Sequence, residues 1–142
     1  TEVPLEHTKE LRGVFDVLLG QPENGTVLLH CSGGKDRTGI TTALILSALG
    51  VTRDDIEADF LMSNVQKQAD KKAAEIAASV NEANGTSMTP EAVWPSLGIR
   101  ADHLSTFYDS VSASYGSVDG YLRDGLGLTD EDLTRLRDLY LE

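Results

Sequence analysis

The sequence contains a single cysteine, Cys31, so no disulfide can form within the chain. A lone cysteine fits a reducing compartment or a thiol kept for chemistry. No apolar run reaches the roughly 18 residues that a membrane-spanning helix requires, so we predict no transmembrane segment. Basic residues are scarce, with 12 Lys and Arg against 23 Asp and Glu. The net charge of −11 argues against nucleic acid as a partner.

The residues that can do chemistry are concentrated in one stretch, HCSGGKDRTG, at 30–39. The apolar run before it, at 26–30, predicts a short buried strand, and the run at 40–49 predicts a buried helix that ends at Gly50. A strand, a glycine-bearing loop and a helix together form a cradle for phosphate, because the loop N–H groups and the helix N-terminus point at one anion. We call residues 30–39 the phosphate loop.

Within this loop, Cys31 and Arg37 stand in the spacing Cys-x5-Arg-Thr-Gly. A cysteine attacks as the thiolate, and its ordinary pKa of about 8.5 leaves it mostly protonated at neutral pH. The helix N-terminus and the Arg37 guanidinium are both expected to lower that pKa. We therefore predict that Cys31 attacks phosphorus to form a phosphocysteine and that Arg37 clamps two phosphoryl oxygens. The alternatives are a structural thiol for Cys31 and a surface ion pair for Arg37.

The rest of the phosphate loop is predicted to support this chemistry. The Thr38 hydroxyl is placed to hydrogen-bond the sulfur as it leaves, and His30 is expected to orient the loop. Glycines allow the turn without a Cβ in the way. The residues predicted to bind the phosphate are Ser32, Gly33, Gly34, Lys35, Asp36 and Arg37.

Two charged residues in the loop leave alternatives open. Lys35 is either a second cation that faces the phosphate or a solvated lysine. Cleavage of a phosphate ester needs a general acid for the leaving oxygen. Asp36 either supplies that proton or has a structural role, such as tying Lys35 or Arg37 or capping the next helix. Asp16, the one aspartate upstream, lies in a predicted helix, so the acid otherwise lies outside this chain.

The phosphate loop resembles the HCxxGxxR[S/T]G signature of protein tyrosine and dual-specificity phosphatases. With GKDRTG it resembles the bacterial branch of the mycobacterial protein tyrosine phosphatase B type, as do segments 50–64 and 115–129. The resemblance implies hydrolysis of phosphotyrosine, with phosphoserine, phosphothreonine and phosphoinositides as further substrates. Phosphocysteine chemistry needs no metal, and we expect no cofactor. The non-enzymatic alternative is a catalytically impaired module that binds phosphate or regulates.

The remaining sequence predicts about seven helices beside the one strand. A lone buried strand cannot pair its own N–H and C=O groups, and leaving them unpaired costs roughly 1–3 kcal/mol each. We therefore predict an α/β fold with a mostly parallel sheet flanked by helices, of which residues 1–142 form the C-terminal part of one phosphatase domain. An N-terminal half or a partner chain would complete the sheet, and the resemblance implies the same.

Residues 65–96 are predicted to be helical and carry three of the five lysines, Lys67, Lys71 and Lys72. They are either solvated helices or a lid over the phosphate loop, and the resemblance implies a lid. Residues 101–115 are predicted to form an amphipathic helix, in which His103 is a surface residue. The sequence leaves open whether the protein is cytoplasmic or secreted.

Overall fold

The computed structural model describes residues 6–22 and 25–141, and over these residues the chain is helical. In chain order the helices are α1 (Thr8–Leu19), α2 (Asp36–Leu49), α3 (Arg53–Lys67), α4 (Ala69–Asn84), α5 (Pro90–Leu97), α6 (Ala101–Tyr115), α7 (Val118–Gly120), which runs into a π-helical turn (Tyr121–Gly125), and α8 (Asp130–Tyr140).

Local sequence signals set several of these helix ends. The Thr52 hydroxyl accepts the Asp55 N–H at 3.3 Å and caps α3. Thr129 and Asp132 form a reciprocal capping box at the start of α8. Gly50 ends α2 in the left-handed region, with φ of +88°, where a side chain would be strained. The helix end predicted at Gly50 is confirmed.

Helix α2 lies at the centre of the fold and fixes the C-terminal end of the phosphate loop. It packs against α3, α6, α7 and α8, which explains why its sequence is apolar over most of its length. Ile40, Ala43, Leu44 and Ala48 are buried along it, so the predicted buried helix is confirmed. The largest fully buried side chains of the surrounding core are Phe15, Leu44, Ile99, Leu104, Phe107, Val111, Tyr121, Leu133 and Leu136.

The strand predicted at 26–30 is not formed in this structure, which has no strand among the described residues. A strand needs a hydrogen-bonded neighbour, and the described part of the chain supplies none. Exposure nevertheless alternates along the segment, as it does in a strand with one buried face. Val27 packs against the core and Leu29 lines a cavity, whereas Leu28 between them is 84% exposed. The predicted sheet is therefore not present in the residues that the structure describes.

Helices α4 and α5 form a hairpin with an apolar cluster of its own. Ala73, Ala77 and Val93 are its buried members, separate from the main core. The sequence prediction ended α3 near Ser63 and placed one helix over 65–84, but α3 continues to Lys67. Gln68, with φ of +50°, then turns the chain into α4. The correction matters for the site because it places the end of α3 next to the phosphate loop.

Gly39 allows α3 to approach the first turn of α2. A Cβ at Gly39 would lie 2.7 Å from Cε2 of Phe60, a side chain that is itself buried. We expect Gly39→Ala to lower the free energy of unfolding by about 1–2 kcal/mol, because overpacking exceeds the gain in helix propensity. Gly13, in α1, has open space around it, so Gly13→Ala should instead stabilise by up to about 1 kcal/mol. Urea unfolding of both variants tests this. Changes of the same sign in the free energy of unfolding would contradict it.

Candidate active site

The thiol of Cys31 lies within a ring of hydrogen-bond donors. Gly34 has a φ of +57°, and its N–H donates to Sγ at 3.2 Å. The Thr38 hydroxyl is the largest influence that lowers the pKa of Cys31, followed by the N–H groups of Thr38, Lys35 and Gly34, while partial burial opposes them. Together they bring the pKa of Cys31 down to about 6, so the group is mainly a thiolate at neutral pH.

The Thr38 hydroxyl has few possible hydrogen-bond partners other than the sulfur of Cys31. Its Oγ1 is buried and has no fully formed hydrogen bond among the described residues. A hydroxyl in that position gains a charged acceptor when Cys31 ionises, which is why it favours the thiolate. The sequence prediction gave Thr38 this contact with the sulfur, and the structure places the hydroxyl on the same cavity as Cys31.

Arg37 lies on the same cavity as Cys31, which has a volume of about 410 Å³. Its guanidinium is exposed, and Nη2 donates to Oγ of Ser32 at 3.3 Å. His30 also lines this cavity. The groups that lower the pKa of Cys31 in this structure are backbone amides and the Thr38 hydroxyl, and the Arg37 guanidinium is not among them. The guanidinium remains available for an oxyanion beside the sulfur.

Lys35 ties the phosphate loop to the connection between α5 and α6. Its Nζ donates to the carbonyl oxygens of Pro95, at 3.1 Å, and Gly98, at 2.8 Å. It also lies 3.6 Å from Oδ2 of Asp36. The ammonium is thus committed to backbone carbonyls in this structure, which differs from the predicted cation that faces the phosphate. It is not a solvated lysine either, because its side chain is only 14% exposed.

Two further sets of hydrogen bonds hold the phosphate loop and the segment before α6, and the sequence predicted neither. Lys67 Nζ, at the end of α3, lies 2.5 Å from the carbonyl oxygen of Gly33. The Asn64 side chain accepts the Ile99 N–H at 2.7 Å and donates to the Ile99 carbonyl at 2.8 Å. These bonds link residues more than thirty positions apart, so no local pattern signals them.

Asp36 is the first residue of α2 and lies at the exposed side of the loop. Its side chain is 52% exposed, and it makes no capping hydrogen bond at the start of α2. Oδ1 of Asp36 lies 3.7 Å from Nδ1 of His103 in α6. His103 lies at the surface as predicted, with its side chain 43% exposed, but the sequence did not indicate that it would lie near Asp36. Asp16, the other aspartate considered, bonds to Arg12 Nε at 2.8 Å within α1.

Comparison with known proteins agrees with this geometry. A profile described as the tyrosine phosphatase family matches residues 1–142. The chain belongs to the tyrosine phosphatase family. The mostly parallel sheet that the sequence predicts is not seen among the described residues.

Three relatives within this phosphatase family show similarity over most of the chain. A Cupriavidus necator protein with a provisional tyrosine-protein phosphatase name is 41% identical over 82% of this chain and 40% of its own length. The triple specificity protein phosphatase PtpB of Mycobacterium tuberculosis is 37% identical over 81% of this chain and 44% of itself. A tyrosine-protein phosphatase of Nostoc commune is 26% identical over 90% of this chain and 43% of itself. The chain therefore spans less than half the length of these relatives.

Within 6–22 and 25–141, no three His, Cys, Asp or Glu side chains are grouped so that they could hold a metal ion. No helix in the same ranges has the length and apolar character needed to cross a membrane.

The role of Thr38 in this phosphatase loop can be tested by alkylation. The rate at which iodoacetamide modifies Cys31 should rise with pH and inflect near 6, because the thiolate is the reactive form. Thr38→Val removes the hydroxyl that most favours the thiolate, so the inflection should move to higher pH. Thr38→Ser keeps the hydroxyl and should keep the inflection. An unchanged inflection in Thr38→Val would contradict this assignment.

The same lowered pKa makes stability depend on pH with a definite sign. The folded pKa of Cys31 lies below its ordinary value, so folding favours the thiolate. This contribution to stability is fully present above the ordinary pKa of the thiol and is lost as the pH falls through about 6.

Proposed function

We propose that this chain carries the catalytic loop of a cysteine-dependent phosphatase that hydrolyses phosphate monoesters. The observation that supports this most directly is the pKa of Cys31, lowered to about 6 by donors that converge on the sulfur. Donors that stabilise a thiolate also suit the oxygens of a phosphoryl group. Arg37 on the same cavity supplies the positive charge that the dianionic substrate requires.

The proposed reaction has two steps. The Cys31 thiolate attacks phosphorus, an S–P bond forms and the P–O ester bond breaks, while Asp36 gives a proton to the leaving oxygen. Arg37 holds two of the phosphoryl oxygens as charge builds on them. Water then attacks phosphorus, the S–P bond breaks, and the Thr38 hydroxyl and the loop amides stabilise the returning thiolate. Inorganic phosphate leaves, and Asp36 takes up the proton that the water gives up.

Phosphotyrosine in proteins is the proposed main substrate class. The family membership supports it, and the name of the M. tuberculosis relative describes that protein as having triple specificity. Phosphoserine, phosphothreonine and phosphoinositides are therefore proposed as secondary substrates. A panel of phosphopeptides and phosphoinositides, assayed with the full-length protein, ranks these classes. Turnover confined to phosphoinositides would overturn the ranking.

We further propose that the segment at 26–30 pairs with a strand from outside the described residues, either an N-terminal part or a partner chain. The 84% exposure of Leu28, an apolar residue between two inward-facing neighbours, supports this. The coverage of less than half of each relative is consistent with further sequence in the natural domain. Residues 1–142 alone should then melt without cooperativity, and a cooperative monomer by circular dichroism and size exclusion would refute the idea.

The enzymatic proposal is tested by turnover of p-nitrophenyl phosphate with the full-length protein. We expect turnover that orthovanadate inhibits, since vanadate takes the geometry of the phosphoryl transition state. The alternative, a phosphate-binding or regulatory module, predicts phosphate binding without turnover. Its best support is that the side chain of Asp36, the proposed general acid, is 52% exposed.

A further inference from the structure

The imidazole of His103 lies between two carboxylates. Its Nδ1 is 3.7 Å from Oδ1 of Asp36, and its Nε2 is 3.9 Å from Oδ1 of Asp102. Both distances exceed a direct hydrogen bond, so the contacts are electrostatic and leave room for closer approach or a bridging water. The ring therefore joins the exposed end of the phosphate loop to the first turn of α6.

Asp102 on the far side of the ring is itself held in place. Arg100 Nε lies 3.1 Å and 3.2 Å from its two carboxylate oxygens, and Arg100 Nη2 lies 2.9 Å from Oδ2. The hydrogen bond from Arg100 lowers the pKa of Asp102, and His103 adds to that effect. Asp102 is thus a fixed anion near Nε2, which orients the ring so that Nδ1 faces Asp36.

The backbone that carries His103 is anchored on both sides. Ile99, just before α6, is buried and bonded through both its N–H and its carbonyl to Asn64. Leu104, directly after His103, is also buried in the main core. The position of the ring relative to the phosphate loop is therefore set by the fold and not by the histidine alone.

Asp36 has Lys35 and His103 as neighbours in the described part of the chain, and they lie near different oxygens. Lys35, from the same loop, lies nearer Oδ2, but its ammonium is bonded to the carbonyl oxygens of Pro95 and Gly98. His103 lies nearer Oδ1 and comes from another element. Because the ring lies on the Oδ1 side of the carboxyl, the other oxygen can carry the proton that the leaving group needs.

We propose that His103 is a positioning residue that orients the Asp36 carboxyl for proton donation to the leaving oxygen. The inference rests on the proposed function, in which Asp36 is the general acid. Proton transfer turns the carboxyl into a carboxylate, and a donor next to Oδ1 stabilises that product as it forms. His103 therefore acts through Asp36 and needs no contact with the substrate. A half-exposed carboxyl without this neighbour would spend less time in a productive orientation.

The test compares leaving groups in the full-length protein. His103→Phe keeps the ring shape and removes the donor, and His103→Asn restores a donor close to the Nδ1 position. With phenyl phosphate, a poor leaving group, His103→Phe should lower kcat by about tenfold, a part of the 10²–10⁴ that a general acid contributes. With p-nitrophenyl phosphate the change should stay below about twofold, since that leaving group needs little protonation. KM should not change, and His103→Asn should recover most of the loss.

A double-variant experiment separates this role from a structural one. In an Asp36→Asn background, adding His103→Phe should cost nothing more, because the residue through which His103 acts is already disabled. Additive losses, or equal losses on both substrates, would overturn the inference. If Asp36→Asn alone lost equally on both substrates, the acid assignment itself would fail, and this inference with it. A steep leaving-group dependence in Asp36→Asn beside none in His103→Phe would overturn the inference alone.

Discussion

Cys31→Ser is expected to reduce turnover of p-nitrophenyl phosphate by at least about 10⁴-fold, to the background of the assay. A serine hydroxyl ionises far less readily than a thiol, and the donors around Sγ cannot make up that difference. No other residue in the described part of the chain offers a thiolate, because the sequence has a single cysteine. The loss should appear in kcat rather than in substrate binding.

Binding should survive the same substitution. The N–H groups of Gly34, Lys35 and Thr38, which converge on the sulfur, are backbone groups and stay in place when sulfur becomes oxygen. Calorimetry with a phosphotyrosyl peptide should therefore give Kd values for Cys31→Ser close to those of the unreactive Cys31→Ala. Turnover above about 1% of the unaltered protein would contradict the nucleophile assignment. Loss of turnover together with loss of binding would instead indicate that the loop itself had rearranged.

Arg37→Lys should lower kcat by about 10³-fold, the second largest effect we expect. Lysine keeps the positive charge but loses the planar fork that holds two oxygens at once. In the described residues the guanidinium donates to Oγ of Ser32 and is otherwise exposed, so thermal stability should change little. The matched control is Arg123→Lys, since Arg123 is bonded to Asp119 and Asp130 away from the loop. Comparable losses in the two variants would contradict a specific role for Arg37.

The pH dependence of Cys31 alkylation gives a second measurement on Arg37→Lys. Because amides and the Thr38 hydroxyl lower the pKa of Cys31, the pH at which iodoacetamide alkylation inflects should stay near 6 in Arg37→Lys. A shift of that inflection toward the ordinary value for a thiol would show that the guanidinium does stabilise the thiolate. Kinetics and alkylation together therefore separate activation of the nucleophile from stabilisation of the transition state.

Features set by neighbouring residues were predictable from the sequence. The cap at Thr52, the capping box at Thr129 and the left-handed Gly50 each depend on a few adjacent positions, and the helix end predicted at Gly50 is confirmed. The phosphate loop belongs to the same class, because Cys31 and the amides that surround it lie within eight residues of one another. Such signals are local, so a single sequence carries them in full.

Features that depend on distant pairing were not predictable in the same way. The apolar segment at 26–30 has the composition of a strand, but pairing needs a partner that the described residues do not supply. Lys35 finds its carbonyl partners sixty or more positions away, at Pro95 and Gly98. His103 meets Asp36 only because α6 packs near the start of α2. The sequence therefore indicated the candidate residues of the phosphate loop but not the distant contacts that hold them.

The account depends most on the ionisation of one sulfur, and the ultraviolet absorbance of the thiolate measures it directly. The pH titration is run on the full-length protein, with Cys31→Ser subtracted as the blank so that only this thiol contributes. The account predicts a midpoint near pH 6, set by the Thr38 hydroxyl and the loop amides. A midpoint close to the ordinary value of about 8.5 would contradict it, because Cys31 would then be protonated at neutral pH.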